Sequence, residues 1–231
     1  AGSVTLTGSL SGNVTVAAGG TLVIDGNPTY TYGHQVQGTL TNSGTVVWKA
    51  GTITGFKDGG SVAAAIINQA GAVFEVQGDT SMQGYQSDWL NFTNAGTLRR
   101  TTSAGTAYIG CAFTNTGTVA VQTGTLYLYG AVSNGGPVTV SAGATAHFEG
   151  TTSLQAGTVF SGAGTVRLSG STAVGEGVTM IGAGQVSLSG AVTGAITISG
   201  TGVVAEALAG CTITGSVTLT GHLSGSVTVA S

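Results

Sequence analysis

Eight carboxylates, three histidines and two cysteines are the residues of this 231-residue chain with acid–base, metal or thiol chemistry to offer. Glycoside hydrolysis, for example, needs a carboxylate pair held about 5–10 Å apart. The acids are Asp25, Asp58, Glu75, Asp79, Asp88, Glu149, Glu176 and Glu206, and only Glu75 and Asp79, around Gly78, lie close together. Both read as loop residues facing solvent. His34, His147 and His222 are far apart, show no metal-ligand spacing and read as polar surface residues. No catalytic residue, metal site or cofactor is assigned, and an enzyme is not expected.

Charge is scarce as well. Only five Lys+Arg and eight Asp+Glu occur, with a net charge of −3 and a mean hydropathy of +0.38. That excludes a basic stripe for nucleic acid, a polybasic membrane contact and a disordered chain. The longest apolar run, Val62 to Ile67, is far short of a membrane helix. Alternating runs of four or five residues are too short for membrane-barrel strands. What chemistry there is concentrates in residues 25–100, which hold nine of the thirteen charges, Trp48 and Trp89, and Tyr30, Tyr32 and Tyr85. Around Gly78–Trp89, Tyr85 and Trp89 have three readings: glycan stacking, contact with a neighbouring molecule, or packing on the flank of their own chain.

The elements that would position these side chains are short strands. Val4-Thr5-Leu6-Thr7-Gly8, Leu126-Tyr127-Leu128-Tyr129-Gly130 and Val166-Arg167-Leu168-Ser169-Gly170 alternate with period two and end in glycine, the pattern of strands with one buried face. No 3.6-residue pattern is legible. A second period overlies the first. Asn42-Ser43-Gly44-Thr45-Val46 recurs at Asn94 and Asn115, with variants at Asn68 (read as one insertion) and Asn134, at spacings of 26, 26, 21 and 19 residues. Gly162-Ala163-Gly164-Thr165 and Gly182-Ala183-Gly184-Gln185 have the same shape with Gly in the Asn place. A turn recurring at this period marks a solenoid. A β-sandwich would need hairpins or long connections instead.

The expected fold is therefore all-β: one β-solenoid domain over residues 1–231, of ten or eleven coils about 4.8 Å apart, with longer, decorated coils at about 25–100. Turn glycines should supply positive φ. The asparagines should either form a ladder at one corner or merely fill turns. Cys111 and Cys211 would lie about five coils, roughly 24 Å, apart, too far for a disulfide, and both read as small buried hydrophobes. Aligning the turns puts Trp48, Glu75, Arg100, Val121, Val140, Leu168 and Leu188 in one inward column. A buried Glu75–Arg100 pair is costly, so the corner at Asn68–Val73 is expected to shift the register, turning Phe74 and Val76 inward and leaving Glu75 exposed.

Segments such as Phe113-Thr114-Asn115-Thr116-Gly117-Thr118-Val119-Ala120-Val121 resemble the β-solenoid repeat regions of secreted bacterial surface proteins, autotransporter passengers and filamentous-haemagglutinin-like adhesins. The resemblance covers much of residues 38–230. It implies secretion and an extracellular or cell-surface place, and it carries over no catalytic residue.

Residues 2–16 and 215–229 match at 13 of 15 positions, differing at Ser9/His222 and Asn13/Ser226. Residues 1–24 and 207–231 contain no Asp, Glu, Lys, Arg or Pro, the usual means of blunting an exposed strand edge. These segments are read as surfaces for head-to-tail stacking, through Val4, Leu6, Leu10, Val14 and Val16 on one side and Val217, Leu219, Leu223, Val227 and Val229 on the other. The expected function is a self-assembling extracellular fibre, sheath or matrix subunit. A surface-adhesin fragment, binding glycan or protein, is the alternative, and the start at Ala1 reads as a mature chain or an excised fragment. Ice binding is a further reading, from Thr-x-Thr pairs such as Thr39/Thr41. The expected outward column of Val47, Phe74, Arg99, Ala120, Thr139, Arg167 and Ser187 is too irregular for it.

Overall fold

The fold is taken from a computed structural model. It describes residues 2–26, 32–57, 62–86, 89–181, 184–199, 203–209, 212–214, 217–224 and 228–230, with side chains to 194 except 190 and 191.

The chain is a parallel β-solenoid with three strands per coil. Ser3–Leu6, Leu10–Ser11 and Val14–Val16 form the first coil; Thr21–Ile24, His34–Gln37 and Thr39–Asn42 form the second. Each strand pairs in parallel with the strand one coil away, so three ladders run up three faces. About nine turns are described to the side chains. The ladders then continue through Val203–Ala209 and Val217–Ser224.

Parallel, in-register stacking puts residues of like position directly over one another, and alternation sends every second one inside. On the first face one inward column runs Leu22, Val46, Phe74, Leu98, Val119, Val138 and Phe160. All seven are buried. Phe92 sits between Phe74 and Phe113, its ring centroid 5.0 and 5.2 Å from theirs. The core is one continuous apolar column, so each coil is stable only against its neighbours.

The asparagines form the ladder. Each Nδ2 donates to the Oδ1 of the next: Asn42 to Asn68 at 2.7 Å, Asn68 to Asn94 at 2.6 Å, Asn94 to Asn115 at 2.6 Å and Asn115 to Asn134 at 2.7 Å. All five are buried. The remaining amide protons go to corner carbonyls, such as Val73 O from Asn42 and Thr118 O from Asn94. Val16 precedes the ladder and Leu154 follows it in the same column.

Turn glycines do supply positive φ, Gly71 of this corner among them, but four other glycines of the corner do something different. Among the described residues only glycines have positive φ, and Gly44, Gly96, Gly117 and Gly136 are not among them. A Cβ on Gly117 would lie 2.0 Å from Gly96 O, and one on Gly136 1.7 Å from Gly117 O. Glycine is needed here because the coil below approaches too closely for a side chain.

Two register expectations are corrected. Thr45 follows Asn42 by three positions while its partner Val73 follows Asn68 by five, so this corner carries two extra residues rather than one. Val76 therefore takes the inward column after Trp48, followed by Arg100, Val121 and Val140. The Gly-x-Gly-Thr turn at Gly162 lies at a different corner: Thr165 pairs with Thr145, which places Leu168 and Leu188 on the second face. The outward first-face column is Val23, Val47, Glu75, Arg99, Ala120, Thr139 and Ser161, without Phe74, Arg167 or Ser187.

Candidate functional site

Glu75 and Asp79 are the carboxylates that sequence reading brings together, and the fold separates their roles. Glu75 projects outward, yet it is only 8% exposed, contrary to expectation. Side chains from its own coil and the next cover it. Gln77 Nε2 donates to it at 2.6 Å, Thr101 Oγ1 at 2.9 Å and Arg99 Nε at 2.8 Å, with a second bond from Arg99 Nη2. Burial alone would raise the Glu75 pKa. The bonds from Gln77, Arg99 and Thr101, with the Arg99 charge, outweigh it and hold the carboxyl below its usual range.

Asp79 serves the interior. Arg100 lies in the inward column with no exposed surface. Its Nη1 donates to Gly78 O at 2.7 Å, and its Nη2 to Asp79 Oδ1 at 2.5 Å and Gly105 O at 3.0 Å. Asp79 Oδ2 accepts from Ser103 Oγ at 2.7 Å, and this bond, against the effect of burial and aided by Arg100, lowers its pKa. A general acid at neutral pH needs a raised pKa; both carboxyls are shifted the other way and held by cations. Their arrangement is that of a structural knot at the first-to-second corner.

Tyr85 and Trp89 belong to a cluster with Tyr32 and Phe56, at the end of the second face. Tyr85 lies 5.0 Å from Phe56, 5.1 Å from Tyr32 and 5.4 Å from Trp89. Lys57 Nζ sits 5.4 Å from the Trp89 ring centroid. Gly84 pairs with Gly55, which stacks Tyr85 directly on Phe56. The rings pack on one another, and Tyr85 and Tyr32 keep 46% and 41% of their surface exposed. Asp58 and Asp88 lie outside the described residues.

A second aromatic column went unread. Tyr108, Tyr127, His147 and Arg167 occupy successive outward rungs of the second face. Its signal is Thr-x-Tyr, Thr-x-Tyr, Thr-x-His, Thr-x-Arg from Thr106, Thr125, Thr145 and Thr165. Alignment on asparagine corners hid it. The His147 ring stacks on Tyr127 at 4.4 Å, and its Nε2 lies 2.6 Å from Ser169 Oγ. Burial, helped by the Arg167 charge, lowers the His147 pKa to about 4. The folded state therefore resists a proton that the unfolded chain takes up near pH 6.5. Stability should fall as pH drops from about 6.5 to 4. His147→Gln should flatten the melting temperature profile over that interval, and an unchanged slope would contradict the assignment.

His34 is a correction. It is buried rather than on the surface, with Nδ1 2.9 Å from Gly8 O and Nε2 3.2 Å from Gly26 O. It ties the second coil to the first. Cys111 is free and buried, and burial pushes its thiol up to about 12, leaving it protonated and inert. Cys211 lies outside the described residues. Among the described residues, no three His, Cys, Asp or Glu gather as metal ligands.

The first coil is the remaining candidate. Its strands pair only with the second coil among the described residues. Val4 is 65% exposed, Leu6, Leu10 and Val14 are partly covered, and Val16 is buried. A groove of about 300 Å³ opens there, lined by Val4, Val14, Val16 and Leu22. At the far side, Val217 and Leu219 pair with Val203 and Ala205 on the second face, Leu223 pairs with Leu208 on the third, and Val229 pairs with Ile213. Val227 lies outside the described residues, and the side chains of this segment are not described. Val4 lies on the first face and its sequence match Val217 on the second, so the two matching segments are offset by one face. Among the described residues the Tyr32–Tyr85 cluster, the aromatic rungs and this edge expose apolar side chains; no family model, curated protein or solved structure matches the chain, and the repeat-region resemblance rests on the residues that carry it.

Proposed function

We propose that the chain is a subunit of a self-assembling extracellular fibre, sheath or matrix, built by coil-on-coil stacking between copies. The observation that carries this is the edge of the first coil: among the described residues its three uncharged strands pair on one side, with Val4 over an apolar groove. Such an edge is a template for another strand. The match between residues 2–16 and 215–229 supports a second copy as the partner. Because the matching segments are offset by one face, like stacks on like when successive subunits rotate by one face of the solenoid. The extracellular place follows the resemblance to secreted repeat regions.

Gly2 O and Leu6 O accept from Thr21 N and Asp25 N of the second coil. Backbone groups alternate in direction along a strand, so Ser3 and Thr5 aim theirs outward. Thr5→Pro removes an outward donor, and Val4→Lys puts a charge on the exposed edge. In sedimentation velocity the unmodified chain should form concentration-dependent polymers, and each variant should run as a folded monomer. Variants that assemble as well as the unmodified chain would sink the proposal.

One observation favours ice binding as a second reading. The outward third-face column Thr15, Thr41, Ile67, Thr93, Thr114, Ser133 and Ser153 has no charged residue. Thermal hysteresis of the purified chain separates the two readings.

A further inference from the structure

The second face carries three shallow grooves that join end to end. One of about 400 Å³ is lined by Gly51, Thr52, Asp79, Ser81 and Tyr108. The next, about 570 Å³, shares Ser81 and Tyr108 and adds Tyr127, Tyr129, Glu149 and Gly170. The third, about 620 Å³, shares Tyr129 and continues past Asn91, Gly110, Ala131 and Thr151 at the second-to-third corner. From Gly51 in the third coil to Gly170 in the eighth is five coil spacings, roughly 24 Å.

The floor of this trough is aromatic. Tyr108 and Tyr127 have ring centroids 5.5 Å apart, and Tyr127 and Tyr129 5.6 Å. Tyr108 is 40% and Tyr129 37% exposed. Tyr129 lies back over Gly110, where a Cβ would come within 2.1 Å of its ring, so a residue without a side chain fixes the ring as the wall between two grooves. Its hydroxyl reaches Gln83 Oε1 at 3.5 Å.

From this geometry we propose that the trough binds a neutral, linear polysaccharide laid along the solenoid axis. Its length exceeds what a compact metabolite fills. Tyr108 meets Tyr127 edge to face and Tyr129 is tilted against it, so the two exposed rings, Tyr108 and Tyr129, offer separate faces along the trough on which the C–H faces of successive pyranose rings can stack. Glu149 at the wall accepts hydrogen bonds from sugar hydroxyls and repels polyanions. Arg167 is the only cation on these rungs, which disfavours uronates and nucleic acid.

The test is fluorescence anisotropy of the full chain with labelled cellohexaose, chitohexaose and laminarihexaose, with a galacturonate hexamer and a proline-rich decapeptide as contrasts. At least one neutral hexasaccharide should bind, and its disaccharide should bind at least about ten-fold more weakly. Tyr108→Ala and Tyr129→Ala should each weaken binding about ten-fold, equivalent to about 1.4 kcal/mol, at unchanged circular dichroism. Tyr129→Phe should retain binding, and Tyr85→Ala, in the separate cluster, should have no effect. The proposal is overturned if no neutral hexasaccharide binds, if binding survives both alanine variants, or if the galacturonate or the peptide binds instead. None of these outcomes bears on stacking between copies, which the edge variants test separately.

Discussion

Asn94→Leu is expected to destabilise the solenoid by about 2–5 kcal/mol, while Asn134→Leu at the ladder's end should cost about 1 kcal/mol. Asn94 both accepts from Asn68 and donates to Asn115. Leucine in its place leaves the buried Asn115 Oδ1 without its donor and strips Thr118 O of the Asn94 amide, while Asn68 Nδ2 keeps Thr97 O; an unmade buried bond costs more than a made one contributes. Asn134 has one ladder partner, and the next rung above it is already Leu154. Leucine there leaves the Asn115 amide with Gly117 O as a remaining acceptor. Urea unfolding in the Thr5→Pro background, where assembly does not feed into apparent stability, measures the difference. Equal costs at the two positions would show that the ladder is incidental to the corner.

The adjacent arginines should behave oppositely. Arg99→Ala is expected to cost less than about 1 kcal/mol, because its pair with Glu75 lies on the outer face with Arg99 substantially exposed. Arg100→Ala should cost about 3–5 kcal/mol. It removes a fully buried side chain between Val76 and Val121 and strips the Gly78 and Gly105 carbonyls of their donor. Asp79 loses less, since it is about half exposed and can take up water. Urea midpoints of the two variants decide the matter. A costlier Arg99→Ala would mean the register through this corner is one residue out.

That register shows how far the sequence could be read. The asparagine ladder was legible as one of two readings, because residue type and spacing repeat together; burial of the five amides, which requires partners, decides it against mere turn-filling. The shift at Asn68–Val73 was legible in direction, since a buried Glu75–Arg100 pair is costly, but not in size. Exposure proved a poor gauge of it: Glu75 points outward and is still covered by Arg99, Gln77 and Thr101, which no strand alternation encodes. The turn at Gly162 misled because Gly-x-Gly-Thr serves two different corners of a three-sided coil. His34 was unreadable for a different reason. Its partners are backbone carbonyls of Gly8 and Gly26, and backbone carries no mark in a sequence. The Tyr108–Tyr127–His147 column, by contrast, was present in the Thr-x-aromatic spacing and needed only alignment on the second face.

Stacking between copies is the claim on which the functional account stands, and electron microscopy of the unmodified chain across a concentration series tests it most directly. The account predicts unbranched filaments of constant width, with lengths in multiples of one solenoid, that disappear with Thr5→Pro. Rods of a single length that stay dispersed at the highest concentration would contradict it.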